Sequence, residues 1–174
     1  MTTKLNICRI IGDHLATLHE YKRPKISKGD IFVFFIVPAV IAALITLVLG
    51  KTLTRESINF LATVFSIFTG LLLNLLVLIY DGARKIEEKA EKNSSDSARL
   101  QTFEETFANI SYSILISVIT LIALFCARLV IAFNGNAFCD IALHTISLAT
   151  FCLTGNFLLT LLMILKRVHA LLSR

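Results

Sequence analysis

The chain has 174 residues, of which 56% are hydrophobic, and its mean hydropathy is +0.78. A soluble domain of this size is usually nearer to roughly 45–50% apolar, so the composition excludes an ordinary soluble fold and indicates an integral membrane protein. The formal net charge is +5. We predict an all-α, polytopic membrane protein with four transmembrane helices, a cytoplasmic helical hairpin between spans 2 and 3, and an N-terminal amphipathic helix.

Residues 1–30 predict a cytoplasmic amphipathic helix followed by a basic linker. Apolar side chains recur there at helical spacing, at Leu5, Cys8, Ile11, Leu15 and Leu18. Such a helix either lies in the cytoplasmic membrane interface or packs on its own bundle or on a neighbouring subunit. Pro24 ends the helix. We interpret His14 and His19 as incidental polar positions.

Residues 31–165 predict the four-span transmembrane domain, with the hairpin at 81–106, and residues 166–174 form a basic cytoplasmic tail. The first span covers about 31–49 and contains Pro38. Proline is tolerated in a membrane helix but often kinks it, so Pro38 is either a static kink or a gating hinge.

The second predicted span, about 57–80, carries a polar edge. No residue from 58 to 80 is charged, yet small and polar residues recur at intervals that place them in one helical stripe. The stripe consists of Asn59, Thr63, Ser66, Gly70, Asn74 and, at its end, Asp81. Two interpretations remain open: an interface between helices held by small and polar residues, or the lining of a pore or polar cavity.

The predicted hairpin is the one long polar connection of the chain. It either rests against the N-terminal helix of its own or a neighbouring chain, or it is a docking surface for a soluble partner. The charged residues that we predict to dock such a partner are Arg84, Lys85, Glu87, Glu88, Glu91, Glu104 and Glu105.

The third predicted span, about 107–133, has a looser polar edge that includes Ser113, Ser117 and Thr120. We expect this edge to face the stripe of the second span, because a short hairpin makes the two helices neighbours. Arg128 is the one charge at membrane depth. It either snorkels to the headgroups or pairs with Glu56 or Asp140.

The fourth predicted span, about 140–165, has polar residues scattered around it, which favours burial on several sides and hence a homo-oligomer. Lysine and arginine mark the cytoplasmic side of a membrane protein. Residues 1–30, the hairpin and the tail hold six, five and three of them, against three near the opposite loops. Both termini and the hairpin are therefore predicted to be cytoplasmic.

The sequence contains no motif typical of an enzyme, a metal site or a nucleic-acid reader. We predict a non-enzymatic protein without cofactor, metal or direct nucleic-acid contact. Its predicted partners are membrane lipids, further copies of the chain and a soluble cytoplasmic effector protein. The leading hypothesis is a sensor or anchor that signals to that effector. The alternative is a small ion-conducting or membrane-permeabilising oligomer lined by the second span.

The predicted layout resembles the membrane subunit of the bacterial Kiwa anti-phage defence system. The shared features are a basic N-terminal segment, four spans, inside termini and a charged cytoplasmic hairpin between spans 2 and 3. The resemblance covers the whole chain as layout and carries over no functional residue. It implies an inner-membrane homo-oligomer that is paired with a soluble DNA-binding effector and responds to infection at the cell envelope.

Overall fold

A computed structural model describes residues 7–17, 29, 32–90, 95–133 and 137–172. The described residues form five helical segments and no strand. These are α1 (Ile7–Ala16), α2 (Phe32–Val48), α3 (Arg55–Ala90), α4 (Ser95–Ala132) and α5 (Ala137–Leu172). The predicted linker at 21–28, the predicted helix residues 18–20 and Glu91 lie outside the described residues, as does the side chain of Glu88.

Three helices of the fold are long and apolar enough to cross a membrane. Their qualifying stretches are Arg55–Glu87, Leu100–Ala132 and Ala137–Leu171, of 33, 33 and 35 residues. The fourth, α2, is shorter: at 1.5 Å per residue its length is at most about 26 Å, against a hydrocarbon core of roughly 30 Å. The fold is therefore all-α with three membrane-length helices, and a fourth crossing by α2 stays a prediction.

Helix α2 is irregular because of its proline. Two π-helical turns, Phe32–Ile36 and Leu44–Val48, flank the α-helical Val37–Ala43. Pro38 has no N–H, so the carbonyl of Phe34, four residues earlier, loses its usual partner. The side chain of Asn156 on α5 replaces that partner: its Nδ2 donates to the Phe34 oxygen at 2.9 Å.

A glycine on α5 lets α2 approach closely at the same level. A Cβ added at Gly155 would lie 3.0 Å from Cβ of Pro38. The missing side chain therefore makes room for the pyrrolidine ring. Pro38 is buried in this contact, and the adjacent residues Gly155 and Asn156 together accommodate both its shape and its missing hydrogen bond.

The turn between α2 and α3 is fixed to α5. Gly50 adopts a φ of 59°, a backbone conformation that glycine tolerates and most other residues avoid. Leu53 then inserts into the core, and its N–H donates to Oγ of Ser147 at 3.0 Å. Thr54 caps the start of α3, because its Oγ1 accepts from the N–H of Ser57 at 3.2 Å.

Helix α3 packs on α4 through a seven-residue repeat. Ile58, Phe65, Leu72 and Ile79 are all buried. This spacing keeps one apolar seam directed at a partner helix, as in coiled coils. Towards the end of the seam α3 comes so close to α4 that a Cβ at Gly82 would lie 2.8 Å from the ring of Phe103.

Helix α4 is the centre of the fold. It packs against α3 on one side, α5 on another and α1 near its beginning, while α5 in turn packs against α2. Side chains of α3 also reach α5: Phe157 lies 4.9 Å from Phe65 and 5.8 Å from Phe68 between ring centroids. Much of the circumference of α3 has no neighbour among the described residues.

Candidate functional site: a polar network and an adjoining acidic groove

A buried histidine joins α1 to the bundle. His14 is 0% exposed, and its Nδ1 lies 2.8 Å from Oδ1 of Asn109 on α4. Because an amide oxygen only accepts hydrogen bonds, Nδ1 carries the proton and Nε2 is the lone-pair nitrogen. Nε2 is buried without a partner among the described residues. The hydroxyl of Thr17 approaches the same amide oxygen at 2.8 Å.

The network continues from His14 through α4 and α5 to α2. The imidazole is stacked on the ring of Tyr112, and the Tyr112 hydroxyl donates to Oδ1 of Asn156 at 3.0 Å. Asn156 in turn donates to the carbonyl of Phe34. These contacts therefore link α1 to the turn of α2 that contains Pro38. The Asn156 amide connects the two parts, because its oxygen accepts from Tyr112 and its nitrogen donates to Phe34.

An ion pair closes the network on the side of α5. The Arg167 guanidinium donates to the carbonyl of Thr17 at 2.9 Å and lies 3.1 Å from a carboxylate oxygen of Glu105. The two charged side chains are 15% and 33% exposed. Partial burial shields the pair from solvent screening, so it fixes Arg167 more firmly than a surface pair would, and Arg167 in turn bonds to the end of α1.

Burial sets the protonation of His14. Removal from water lowers the pKa of His14 below its ordinary 6.5, the hydrogen bond with Asn109 opposes this, and the positive charge of Arg167 adds to the lowering. At neutral pH the histidine is therefore uncharged. The contact between α1 and α4 uses the neutral imidazole of His14. Loss or protonation of this ring therefore weakens the contact.

A groove of about 690 Å³ adjoins the network, between α1, the end of α3 and the beginning of α4. Thr17 and Glu105 belong to both features. Its apolar lining includes Ile10, Ile79 and Phe103, and Phe107 lies at its edge, 39% exposed. Helix α1 packs on α4 but not on α3, and the groove is the gap left between them.

The charged side chains of the groove are mainly acidic. Among the described side chains, four carboxylates line it, from Asp13, Glu87, Glu104 and Glu105, against one guanidinium, that of Arg9. Arg9 lies 3.8 Å from Asp13, and Glu105 is engaged by Arg167. Glu87 and Glu104 are exposed and have no ion-pair partner among the described residues. The groove therefore combines an apolar floor with two unneutralised carboxylates.

Three of the residues predicted to dock a partner meet in this groove: Glu87, Glu104 and Glu105. Arg84 and Lys85 are exposed on α3 but do not line it. Glu88 and Glu91 cannot be placed in it, because their side chains lie outside the described residues. The docking role itself stays a prediction, now for a defined surface.

The polar stripe of α3 faces away from the rest of the chain. Asn59, Thr63, Ser66, Gly70 and Asn74 are all exposed. This corrects the expectation that the stripe faces the polar edge of the third span. The physical reason is the apolar seam of α3, which takes the side towards α4 and leaves the stripe on nearly the opposite side.

The polar edge of α4 points inward instead. Ser113, Ser117 and Thr120 are each 0% exposed. The partner of Ser117 on α3 is Thr69, at 2.8 Å between hydroxyl oxygens, rather than a stripe residue. A role of these three residues as an interface between helices of one chain fits their burial, whereas a pore lining would need them accessible.

Hydrogen bonding divides the stripe of α3 into two kinds of residue. The hydroxyls of Thr63 and Ser66 donate back to carbonyls of their own helix, at 2.9 and 2.7 Å. The side-chain amides of Asn59 and Asn74 have no partner among the described residues. A Cβ at Gly70 would meet nothing within 4 Å. The stripe thus offers two unsatisfied amides and an open central position.

Arg128 is exposed, four residues before the end of α4. Within the described part of the chain it forms no ion pair with Glu56 or Asp140. The predicted pairing is therefore not formed, and snorkelling stays a prediction. The four cysteines are free. Among the described residues, no three histidine, cysteine or acidic side chains come together as a metal site.

Sequence reasoning gave no role to His14 or Tyr112. A lone histidine on an amphipathic helix has no motif spacing, and its partner Asn109 lies 95 residues away. Asn156 was one of several scattered polar residues of the fourth span. The sequence offered one signal. Pro38 frees a backbone carbonyl in the first span, and a side-chain amide such as that of Asn156 can donate to it.

Comparison with known proteins adds no identity to this geometry. No protein-family model, no curated protein and no solved structure matches the chain.

Proposed function

We propose that this protein is a non-enzymatic integral membrane protein, a homo-oligomeric sensor or anchor that signals to or recruits a soluble cytoplasmic partner. The observation that carries the proposal is the polar network from Phe34 through Asn156, Tyr112 and His14 to α1. A shift of α2 or α5 alters the Asn156 contacts, and these reach α1, which forms one wall of the acidic groove. The network is a physical route from the apolar helices to a charged surface.

The proposed topology has four spans in the inner membrane, with both termini cytoplasmic. The distribution of lysine and arginine supports it. The 17 residues of α2 are at the short end of the range of roughly 17–25 that cross a bilayer. Tags at the two termini test it: both should be accessible only from the cytoplasmic side. Tags on opposite sides would mean three spans and would overturn it.

The proposed homo-oligomer is supported by the outward stripe of α3. An amide in hydrocarbon is costly unless it is hydrogen-bonded, and neither Asn59 nor Asn74 has a partner among the described residues of its own chain. In the proposed topology, the hairpin between α3 and α4 places the groove on the cytoplasmic side of the membrane.

Mass measurement of the complex extracted from native membranes in mild detergent tests this function. We expect several copies of the chain with a soluble protein in fixed ratio. Asn156→Leu should loosen α1, seen as faster hydrogen exchange in Ile7–Ala16, and should release the soluble protein. Asn59→Leu removes an amide outside the network and should change neither. A homo-oligomer without soluble protein would overturn recruitment.

A second candidate function is an ion-conducting or membrane-permeabilising oligomer. The outward stripe of α3 supports it, because copies arranged around a common axis would line that axis with amides and hydroxyls. Asn74→Leu then abolishes ion flux in liposomes that contain the purified protein. If the stripe is only an interface, no flux is present to abolish, and the variant changes the oligomer's stability alone.

We also propose that the protein acts in bacterial anti-phage defence, as the membrane subunit of a Kiwa-like system. The support is the layout described above, together with an acidic groove on the proposed cytoplasmic face. Phage plating on cells with and without the gene for this chain tests this. A network variant such as Asn156→Leu should lose protection while remaining in the membrane.

A further inference from the structure

We propose that the groove between α1, α3 and α4 binds a basic amphipathic helix of the soluble partner. This inference rests on the proposed function and names the chemistry of the partner segment. It commits to one occupant: a helix with apolar side chains on one face and lysine or arginine beside them. The argument uses the shape of the groove, its floor and its charges.

The groove has the length of a short helix. Its lining on α3 runs from Ile79 to Glu87, roughly 12 Å at 1.5 Å per residue. Its lining on α4 runs from Leu100 to Ser111, roughly 17 Å. An α-helix advances about 5.4 Å per turn, so the groove holds two to three turns. That is the length over which apolar anchors at i, i+3 or i+4 and i+7 engage a groove.

The floor of the groove supplies the apolar contact. Ile10 and Phe103 line the groove and are only partly buried, whereas Ile79 lines it as a buried side chain with 5% exposure. Phe107 adds an exposed ring at one edge. Apolar surface left in a groove is removed from water when the apolar face of a helix binds there, which is the main source of affinity in this binding mode.

The charges of the groove select the sign of the occupant. Glu87 on α3 and Glu104 on α4 stand on separate walls, both exposed and both without an ion-pair partner among the described residues. Lysine or arginine on the two flanks of a bound helix would neutralise them. An acidic helix, or the anionic headgroup of a lipid, would be repelled by the same carboxylates.

Helix α1 makes the groove responsive to the polar network. Arg9, Ile10, Asp13 and Thr17 form one wall, and that wall is held by His14 and Arg167. Loss of the His14 contact therefore removes a wall without altering Glu87 or Glu104. Occupancy of the groove and docking of α1 are coupled in this arrangement.

Peptide binding to the full chain tests the inference. The probe is a fluorescent synthetic peptide of about three to four turns, with leucine at i, i+3, i+4 and i+7 and lysine on both flanks. The protein is held in nanodiscs of phosphatidylcholine, and empty nanodiscs give the background. We expect saturable binding that weakens about five- to tenfold in Glu87→Gln/Glu104→Gln, as for two exposed charge pairs. High salt should weaken binding to the unmodified protein similarly.

A matched control removes two carboxylates from the opposite end of the bundle. Glu56 and Asp140 begin α3 and α5, and Glu56→Gln/Asp140→Asn should leave the affinity unchanged. Ala83→Phe fills the groove without changing its charge and should abolish binding. The inference is overturned if the groove variants bind as tightly as the control. It is also overturned if a peptide with glutamate in place of lysine binds equally, or if the signal equals that of empty nanodiscs.

The outcomes separate this inference from the proposed function. If the soluble partner still co-purifies with Glu87→Gln/Glu104→Gln, recruitment stands and the groove is not its site. If no soluble partner exists but the lysine peptide binds selectively, the groove is a basic-helix site and the proposed recruitment is wrong. If the groove variants instead change the number of copies in the complex, the occupant is a second chain and the inference is overturned.

Discussion

The imidazole of His14 lies parallel to the phenol ring of Tyr112, with 3.8 Å between ring centroids and 4° between ring planes. His14 belongs to α1, of which ten helical residues are described. The stack on Tyr112, the bond with Asn109 and the bond from Arg167 to Thr17 hold this helix on the bundle. Four experiments test the docking of α1 and the packing of the helices around it.

His14→Leu should undock α1. The substitution keeps an apolar group against Tyr112 but removes the ring stack and one of the two partners of the Asn109 oxygen, and the loss of one such hydrogen bond costs about 0.5–1.5 kcal/mol. Hydrogen exchange of the α1 amides should rise accordingly, while that of α4 stays slow. His144→Leu is the control, because His144 is exposed and bonds only to a carbonyl of its own helix. Equal exchange in both variants would mean that His14 does not hold α1.

Acidification should weaken the docking of α1. The pKa of His14 is lowered in the docked state by burial, so the undocked state binds a proton first as the pH falls below about 6.5. Docking is therefore fully stable above that pH, and weakens below it until the docked pKa is reached. Exchange of α1 amides at about pH 7.5 and 5.5, corrected for intrinsic rates, measures the effect. The His14→Gln variant should lack this pH dependence. If the variant keeps it, a group other than His14 causes the pH dependence.

Asn156 and Pro38 should be energetically coupled. Asn156→Leu leaves the Phe34 carbonyl and the Tyr112 hydroxyl without partners and should cost about 1–3 kcal/mol. Pro38→Ala restores an N–H that can donate to Phe34, so Asn156→Leu should cost less in that background. Thermal unfolding of the four proteins of this double-mutant cycle gives the coupling, which we expect to be about 0.5–3 kcal/mol. Additive effects would mean that the N–H restored by Pro38→Ala does not replace Asn156 as the donor to the Phe34 carbonyl.

Two glycines should respond oppositely to alanine. Helix propensity favours alanine by about 1 kcal/mol, and Gly70→Ala meets nothing within 4 Å in the chain, so it should stabilise the isolated chain. Gly155→Ala places a methyl group 3.0 Å from the rigid ring of Pro38, and overpacking costs about 1–3 kcal/mol. The midpoint of thermal unfolding should therefore rise for the first variant and fall for the second. A rise for both would show that α2 can move away without cost.

The helical class and the three long apolar helices could be predicted, because uncharged runs of membrane length are a local property of the sequence. The stripe of α3 could also be predicted, since Asn59, Ser66 and Gly70 recur at helical spacing. Its direction could not. The competing repeat of Ile58, Phe65 and Leu72 decides which side of α3 packs, and the strength of that packing depends on α4.

The groove and the network were not predicted from the sequence, although three charged residues of the groove were. Glu87, Glu104 and Glu105 were singled out by their charge, which is visible in the sequence. Their position beside α1 depends on His14 and Asn109, two residues of ordinary type joined across 95 positions. No periodicity within α1 or α4 reports a contact between the two helices. Such pairings become visible only in three dimensions.

The bond from Asn156 to the Phe34 carbonyl spans 122 residues, and it has a consequence for biosynthesis. The ribosome makes α2 before α3, α4 and α5. Until α5 emerges, the carbonyl freed by Pro38 has no Asn156 to meet, and the ring of Pro38 has no Gly155 to pack against. Helix α2 therefore cannot reach its final shape until α5 has been made. A ribosome that stops before α5 leaves α2 without these two contacts.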